Sequence, residues 1–281
     1  MPENWLDDDD LTKRVRDRFN QVVMREDVPL NLTSTALVTH AYLYTGEEKY
    51  RGWVVEYTEA WMERMKQNGG IIPDNVGLTG QIGEHRLGQW WGGFYGWTCE
   101  YAPSIISTGV AVAAECAHLI TGDGRYLQFL RSHLDRLMEH GVEKDGRLLV
   151  PGRNTDDGWV DHAPLVPMEP IHLWTASMKE RDWDRLERIR RGNEEEWDKV
   201  VPRGSRGADD RAWIRFIGGD LPKYPEQILK ANHSEVRRRL ELVQRDEEDL
   251  ALVGEHHWQE RNPVITEALT QLTTGGPQTI Y

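Results

Sequence analysis

Cysteine is scarce in this sequence of 281 residues. The two that occur, Cys99 and Cys116, are too few for the disulfide framework that stabilises many small secreted domains. We therefore expect two buried thiols or a reducing compartment. The N-terminal segment also lacks the basic and apolar regions of a signal peptide. The sequence as it stands predicts a cytoplasmic location.

Long apolar segments and a surplus of positive charge are missing as well. No run of 18 apolar residues occurs, and such a run is the usual mark of a membrane-spanning helix. Lys and Arg number 34 against 47 Asp and Glu, which gives a formal charge of −13. Nucleic-acid backbones and anionic membranes are bound through basic patches. We expect neither as a partner.

Phenylalanine is rare, whereas tryptophan is abundant. There are 4 Phe and 12 Trp. A core can be filled by Phe, Leu and Ile without a buried N–H that needs a partner. An excess of Trp therefore indicates partly exposed surfaces, where one side of the indole packs and the other meets a polar ligand.

Helical periodicity covers most of the chain. Helices are predicted over 7–24, 31–45, 47–67, 104–120, 125–140, 168–179, 182–191, 234–246 with Ser234 as its cap, and from Pro263 to about 273. A short strand hairpin is predicted at 145–150, and the charged, Gly-rich stretch 192–220 is interpreted as an excursion from a single domain.

Two of the predicted helical pairs form one repeat. When residues 31–64 are shifted by 76 positions, Thr45 aligns with Thr121 and Gly46 with Gly122 without a gap. In both copies the first helix is more apolar than the second. Repeated helical hairpins bury their faces against each other. A third, degenerate unit is predicted at 168–191.

These hairpins and their Thr-Gly-acid turns resemble the six-hairpin (α/α) toroid superfamily of carbohydrate-active enzymes, which holds many glycoside hydrolases and some polysaccharide lyases. The resemblance implies an all-α fold with stacked hairpins and a site at the end of the barrel. It covers 7–191 best, and about four hairpins are recognisable. We therefore expect a partial toroid or a piece of a longer chain, with segments 69–102 and 141–167 at the site.

Segment 69–102 is the most unusual stretch of the chain. Nine glycines fall between Gly69 and Gly96, and no helical or strand period survives them. Long loops inside a compact domain are usually functional or disordered, and this one is too aromatic for disorder. We predict an ordered loop that lines a cleft.

Carboxylates in both segments are the candidates for acid–base chemistry. Glycoside hydrolysis uses one protonated and one ionised carboxyl group that face each other across the scissile bond. The predicted catalytic residues are Asp156, Asp157, Asp161, Asp74, Glu84 and His85. The alternative for Asp156-Asp157-Gly158 is an ordinary turn.

Aromatic and polar side chains beside these acids are the candidates for binding an oligosaccharide or polysaccharide. The predicted substrate-binding residues are Trp90, Trp91, Tyr95, Trp97, Asn154, Trp159, His162 and Arg86. The flat face of an indole matches the C–H face of a sugar ring. The alternative is packing between helices, and we expect about half of these aromatics to lie in the core.

Two further functions remain open from the sequence. A lyase acting on a uronate needs a group that neutralises the carboxylate, such as Arg86 or Arg153 with Asn154, and a base such as His85, His162 or Tyr95. The alternative for His85 is a solvated loop histidine. A non-catalytic sugar-binding or scaffold protein of the same fold is the third possibility. No cofactor or metal site is predicted, since the pattern Glu255-His256-His257 with Glu260 is too weak for a metal site.

Overall fold

The computed structural model describes residues 7–201 and 211–245, which form ten α-helices and five short strands. The helices are α1 (Asp9–Gln21), α2 (Ser34–Thr45), α3 (Glu48–Gln67), α4 (Ala102–Thr121), α5 (Leu127–Glu139), α6 (Met168–Ser177), α7 (Glu180–Arg190), α8 (Glu194–Trp197), α9 (Arg211–Ile217) and α10 (Tyr224–Arg245). The strands are β1 (Val142–Lys144), β2 (Arg147–Val150), β3 (Arg153–Thr155), β4 (Gly158–Val160) and β5 (Ala163–Pro164). The chain is thus predominantly helical, which confirms the predicted class in outline.

The predicted repeat is confirmed in atomic detail at the two hairpin turns. The hydroxyl groups of Thr45 and Thr121 each donate to the carbonyl four residues earlier, at 2.7 and 2.6 Å. The glycine that follows each threonine has a φ of about 70°, a left-handed conformation that glycine adopts without strain. The same three-dimensional turn therefore joins α2 to α3 and α4 to α5.

Helix α4 is the centre of the molecule. Twelve of its 20 residues are buried, and it packs against α2, α3, α5 and α6. Its sequence is apolar nearly all round, as expected for a helix enclosed on most sides. Among the helices of the described ranges, α4 alone is long and apolar enough to cross a membrane. Within the protein, 61% of its most apolar 18-residue stretch is buried.

A third hairpin, α6 with α7, continues the arrangement. Residues Glu169 to Trp174 of α6 are all buried, so α6 resembles α4 in its burial. A buried ion pair connects α7 to α5, since Arg131 of α5 donates a hydrogen bond of 2.8 Å to Asp182 of α7. Helix α2 departs from this pattern, because Leu37 and Tyr44 on it are exposed.

The all-α expectation was wrong for residues 142–164. β1 and β2 form the predicted hairpin, which turns at Asp145-Gly146, and β5 adds a third antiparallel strand. β3 and β4 form a second hairpin that the sequence did not predict. The strand segments between α5 and α6 satisfy their backbone groups by pairing with one another.

One further helix boundary was also wrong. Helix α10 begins at Tyr224, so Ser234 lies in the helix interior and is not a cap. In the segment 192–220, interpreted from the sequence as an excursion, helices α8 and α9 place Trp197 and Ile214 in the main hydrophobic core. The residues from Glu255 onward, including the helix predicted after Pro263, lie outside the described residues. Cys116 is buried and Cys99 half-buried, and both are free thiols.

Candidate functional site

The glycine-rich segment 69–102 is an ordered series of turns organised around Asp74. This carboxylate is fully buried and accepts backbone N–H groups from Gly92 at 2.8 Å, Gly93 at 2.8 Å and Trp97 at 2.6 Å. Burial raises the pKa of Asp74, although these hydrogen bonds and one from Asn75 oppose the shift. A single side chain thus holds the two halves of the loop together.

A second set of contacts ties the loop to the residues after α1. The guanidinium group of Arg86 forms two hydrogen bonds with the buried carboxylate of Glu26, at 2.6 and 2.9 Å. Asp27 and Val76 exchange backbone hydrogen bonds of 2.7 and 3.0 Å. Arg86 is therefore occupied by a structural ion pair, and its predicted role in substrate binding has no support from its position.

The loop and the segment after α5 lie side by side, as predicted. The backbone N–H of Asn154 donates to the carbonyl of Trp97 at 2.9 Å. The rings of Trp97 and Trp159 meet edge to face with centroids 5.0 Å apart, and Trp90 lies 6.0 Å from Trp159. Such pairs add stability beyond their buried area. The contact between the two segments, here called the joint, is thus mainly aromatic.

A cavity of about 280 Å³ opens where this joint meets the first turns of α4 and α6. It is lined by Glu100, Tyr101, Pro103, Ser104, Ser107, Val150, Pro151, Gly152, Arg153, Asp161, Ala163, Pro164, Leu165, Val166 and Glu169. About half of the lining residues are aliphatic or proline, and several polar groups converge on the cavity. This combination is typical of small-ligand sites.

Glu169, in the first turn of α6, is the most perturbed group in the cavity. Its side chain is 1% exposed, and burial raises its pKa to about 7. The hydroxyl of Thr108 donates to Oε1 at 2.8 Å, which opposes the shift. In the described residues no Lys, Arg or His forms an ion pair with it. Burial thus brings the pKa of Glu169 into the range in which a general acid or base works at neutral pH.

An ion pair also belongs to the cavity lining. Arg153, in β3, contacts the carboxylate of Asp161, which follows β4. Asp161 has a φ of +56° and is exposed. Glu100, just before α4, is a third carboxylate of the lining. The cavity thus combines an enclosed carboxyl group with carboxylates in contact with water.

The hydroxyl of Ser107, which lines the cavity, lies 2.9 Å from Nε2 of the buried His133. A serine beside a histidine invites comparison with a nucleophile and its base. His133 is fully enclosed, however, and burial lowers its pKa to about 4. An imidazole that resists protonation this strongly is a poor acceptor for a serine proton. We assign this pair a structural role.

Only one predicted catalytic residue, Asp161, lies on the cavity. Asp156 and Asp157 form the exposed turn between β3 and β4, with the N–H of Asp157 bound to the hydroxyl of Thr155 at 3.3 Å, so the turn alternative is confirmed. Glu84 accepts two hydrogen bonds from Thr79, and it lies outside the cavity, as do Asp74 and His85.

The predicted sugar-binding residues also lie away from the cavity lining. Trp97 is buried, and Trp90, Trp91 and Trp159 pack against the core. Asn154 is buried beneath the joint. His162 lies with Nε2 3.2 Å from the carbonyl of His140, and Tyr95 is exposed next to Phe94. The packing alternative thus describes most of these aromatics.

The sequence offered little sign of Glu169. A glutamate in the first turn of a helix usually complements the helix dipole at the surface. Its burial follows from the packing of α6 against α4, where Thr108 meets it. The repeat alone did not indicate which polar residue of the degenerate third unit would face a cavity.

A family model described as Domain of unknown function (DUF8034) matches residues 2–149 and 144–270. The chain belongs to this family. The first match ends within β2 and the second begins at the end of β1, so the two matches meet beside the cavity. A search of curated proteins and a search of solved structures each gave no match.

Proposed function

We propose that the cavity is the active site of an enzyme that hydrolyses a glycosidic bond, with Glu169 as the proton donor. The observation that carries this proposal is the contrast between two carboxyl groups that line one cavity. Glu169 is enclosed and holds its proton to about pH 7, whereas Asp161 is exposed and paired with Arg153. Paired carboxyl groups in different environments are what this hydrolysis needs.

The roles follow from the two environments. Glu169 donates its proton to the oxygen of the leaving group. Asp161, or Glu100 on the same lining, acts on the opposite side of the sugar as nucleophile or as the base for a water molecule. The aliphatic wall from Val150, Leu165 and Val166 keeps water from the proton on Glu169 until a substrate arrives.

The charge of the lining favours a neutral substrate over a uronate. Glu100, Asp161 and Glu169 face the cavity with a single basic residue, Arg153, which is already paired. A substrate carboxylate would meet net negative charge in a partly dehydrated space. Of the groups named for a lyase, the lining contains Arg153 alone, and Asp161 already pairs with it. The lining lacks the others, which are Arg86, Asn154, His85, His162 and Tyr95.

We also propose that the three hairpins α2–α3, α4–α5 and α6–α7 form part of an (α/α) toroid. The shared Thr-Gly turns and the enclosed helices α4 and α6 support this arrangement. The cavity lies beside the N-terminal turns of the two inner helices, together with the loops between hairpins. That is the end of the barrel at which the resemblance places the site.

The test is hydrolysis of a panel of neutral oligosaccharides and aryl glycosides by the wild type and by Glu169→Gln, Asp161→Asn and Asp157→Asn. We expect Glu169→Gln to lose about 100-fold or more in kcat on substrates with poor leaving groups, the usual size of a general-acid contribution. The loss is smaller on dinitrophenyl glycosides, whose leaving group needs no proton. Asp157→Asn is the matched control and keeps full activity.

Three outcomes would overturn the assignment. Equal activity of Glu169→Gln and the wild type would remove the proton donor. Equal losses for Asp157→Asn and Glu169→Gln would mean that the exposed turn, and not the cavity, carries the reaction. A panel with no turnover at all, combined with saturable sugar binding, would identify the protein as a sugar-binding module.

A further inference from the structure

The contact between Thr108 and Glu169 joins the two inner helices at the cavity. Thr108 lies in the second turn of α4, and its hydroxyl donates to Oε1 of Glu169 at 2.8 Å. It precedes Gly109, at which a Cβ would collide with the carbonyl of Pro29. The backbone of α4 is thus fixed at this point, and the threonine has little room to move away from the carboxyl group.

Among the described residues, few groups contact the carboxyl group of Glu169. Besides Thr108, its own backbone N–H contributes a hydrogen bond. Glu100, Arg153 and Asp161 face it from the other parts of the cavity lining. Further along the interface of α4 and α6, Nδ1 of His172 lies 3.8 Å from Glu115, and His133 is engaged by Ser107. Thr108 is therefore the one side chain in the described ranges that is seen to bond this carboxyl directly.

We propose that Thr108 is a positioning residue, whose hydroxyl fixes the orientation of the Glu169 carboxyl group at the cavity and determines how readily that group releases its proton. The physical reason is the direction of the hydrogen bond. A donor stabilises the ionised carboxylate more than the neutral acid. Without the hydroxyl, Glu169 would hold its proton more tightly and would be free to turn within the cavity.

This inference rests on the proposed function in one respect, namely that Glu169 donates its proton during the reaction. Under that proposal, the rate falls at high pH as Glu169 loses its proton. Removal of the Thr108 hydroxyl then moves the decline of the hydrolysis rate to higher pH. It also slows proton transfer at low pH, because a weaker acid in a less fixed orientation donates less efficiently.

The experiment is a carbon-13 titration of the glutamate side-chain carboxyls, with the Glu169 signal identified by its loss in Glu169→Gln. The wild type is expected to titrate near pH 7. Thr108→Val, which matches threonine in shape, is expected to titrate about one pH unit or more higher. Thr108→Ser keeps the hydroxyl and restores the wild-type value.

Thr175→Val is the matched control, because the Thr175 hydroxyl on α6 donates to the carbonyl of Ile171 and does not contact Glu169. An unchanged titration in Thr108→Val, or a shift as large in Thr175→Val, would overturn the inference. Thr108→Ala replaces the valine variant if the latter does not fold. A shift at Thr108 without any glycoside turnover would uphold this inference and refute the proposed reaction.

Discussion

Asp74→Ala tests whether this acid is a structural anchor. The substitution removes the acceptor for three backbone N–H groups, of Gly92, Gly93 and Trp97. A buried donor left without a partner costs about 1–3 kcal/mol. At the lower end of that range, we expect a loss of about 3 kcal/mol in the free energy of unfolding. With a urea m-value of about 3 kcal/mol/M, the unfolding midpoint would fall by about 1 M.

Asp74→Asn separates the charge from the hydrogen bonds. The asparagine keeps one carbonyl oxygen for the backbone donors and removes a buried charge. Burial raises the pKa of Asp74 in spite of its hydrogen bonds, so removing this charge recovers part of its desolvation cost. We expect a smaller loss than in Asp74→Ala. Asp156→Ala, in an exposed turn, is the control and should stay within about 0.5 kcal/mol of the wild type.

Hydrogen exchange locates the effect within the loop. In the wild type the amides of Gly92, Gly93 and Trp97 are expected to be protected by Asp74. In Asp74→Ala these three amides should exchange fast, while those of α4 remain protected. If the three amides stay protected and the midpoint moves no more than in Asp156→Ala, the view of Asp74 as an anchor is refuted.

Three other substitutions test the packing. Gly96→Ala should destabilise the loop, because its Cβ would collide with the Asp74 carboxylate; a thermal midpoint equal to that of Gly124→Ala, which has open space around it, would contradict this. Asp182→Ala should cost about 3–5 kcal/mol, since it leaves Arg131 charged and buried without its partner; a urea midpoint like that of the surface variant Glu139→Ala would be inconsistent with a buried pair. Burial acts to raise the pKa of Asp182, but Arg131 and Ser177 outweigh it and lower this pKa in the folded protein. The ionised carboxylate therefore stabilises the fold at neutral pH, and this stabilisation is lost as the pH falls below about 4 toward the lowered pKa of the folded state. Acid unfolding followed by circular dichroism should therefore show a smaller pH dependence in Asp182→Asn.

The helical repeat was predictable because its signals are local. Thr45-Gly46 and Thr121-Gly122 form the same turn through the threonine hydroxyl and a left-handed glycine, and both features can be recognised in the sequence. The apolar run of α4 likewise predicts burial on most sides. The repeat also predicted that segments 69–102 and 141–167 would be neighbours. Loops that follow corresponding helices of stacked hairpins lie at the same end of the stack.

The polar residues of the site were much harder to predict. Whether a carboxylate anchors a loop or faces a cavity depends on contacts between distant segments. Asp74 meets N–H groups 18 to 23 residues later in the chain, and Glu169 meets Thr108 61 residues earlier. Nothing in the sequence around Asp74 or Glu169 distinguishes them from other acidic residues, apart from a neighbouring proline. The indoles were ambiguous for the same reason, because their partners, such as Trp97 and Trp159, come from separate segments.

The most direct test of the proposed site is a crystal structure of Glu169→Gln with a neutral oligosaccharide bound. The amide keeps the shape of the side chain while removing its proton donor, so that an intact substrate can remain in place. We expect a glycosidic oxygen within hydrogen-bond distance of residue 169 and the carboxylate of Asp161 or Glu100 on the other side of the sugar. An oligosaccharide bound elsewhere, for example in the groove between α3 and α5 beside Met65 and Phe129, with the cavity empty, would contradict the account.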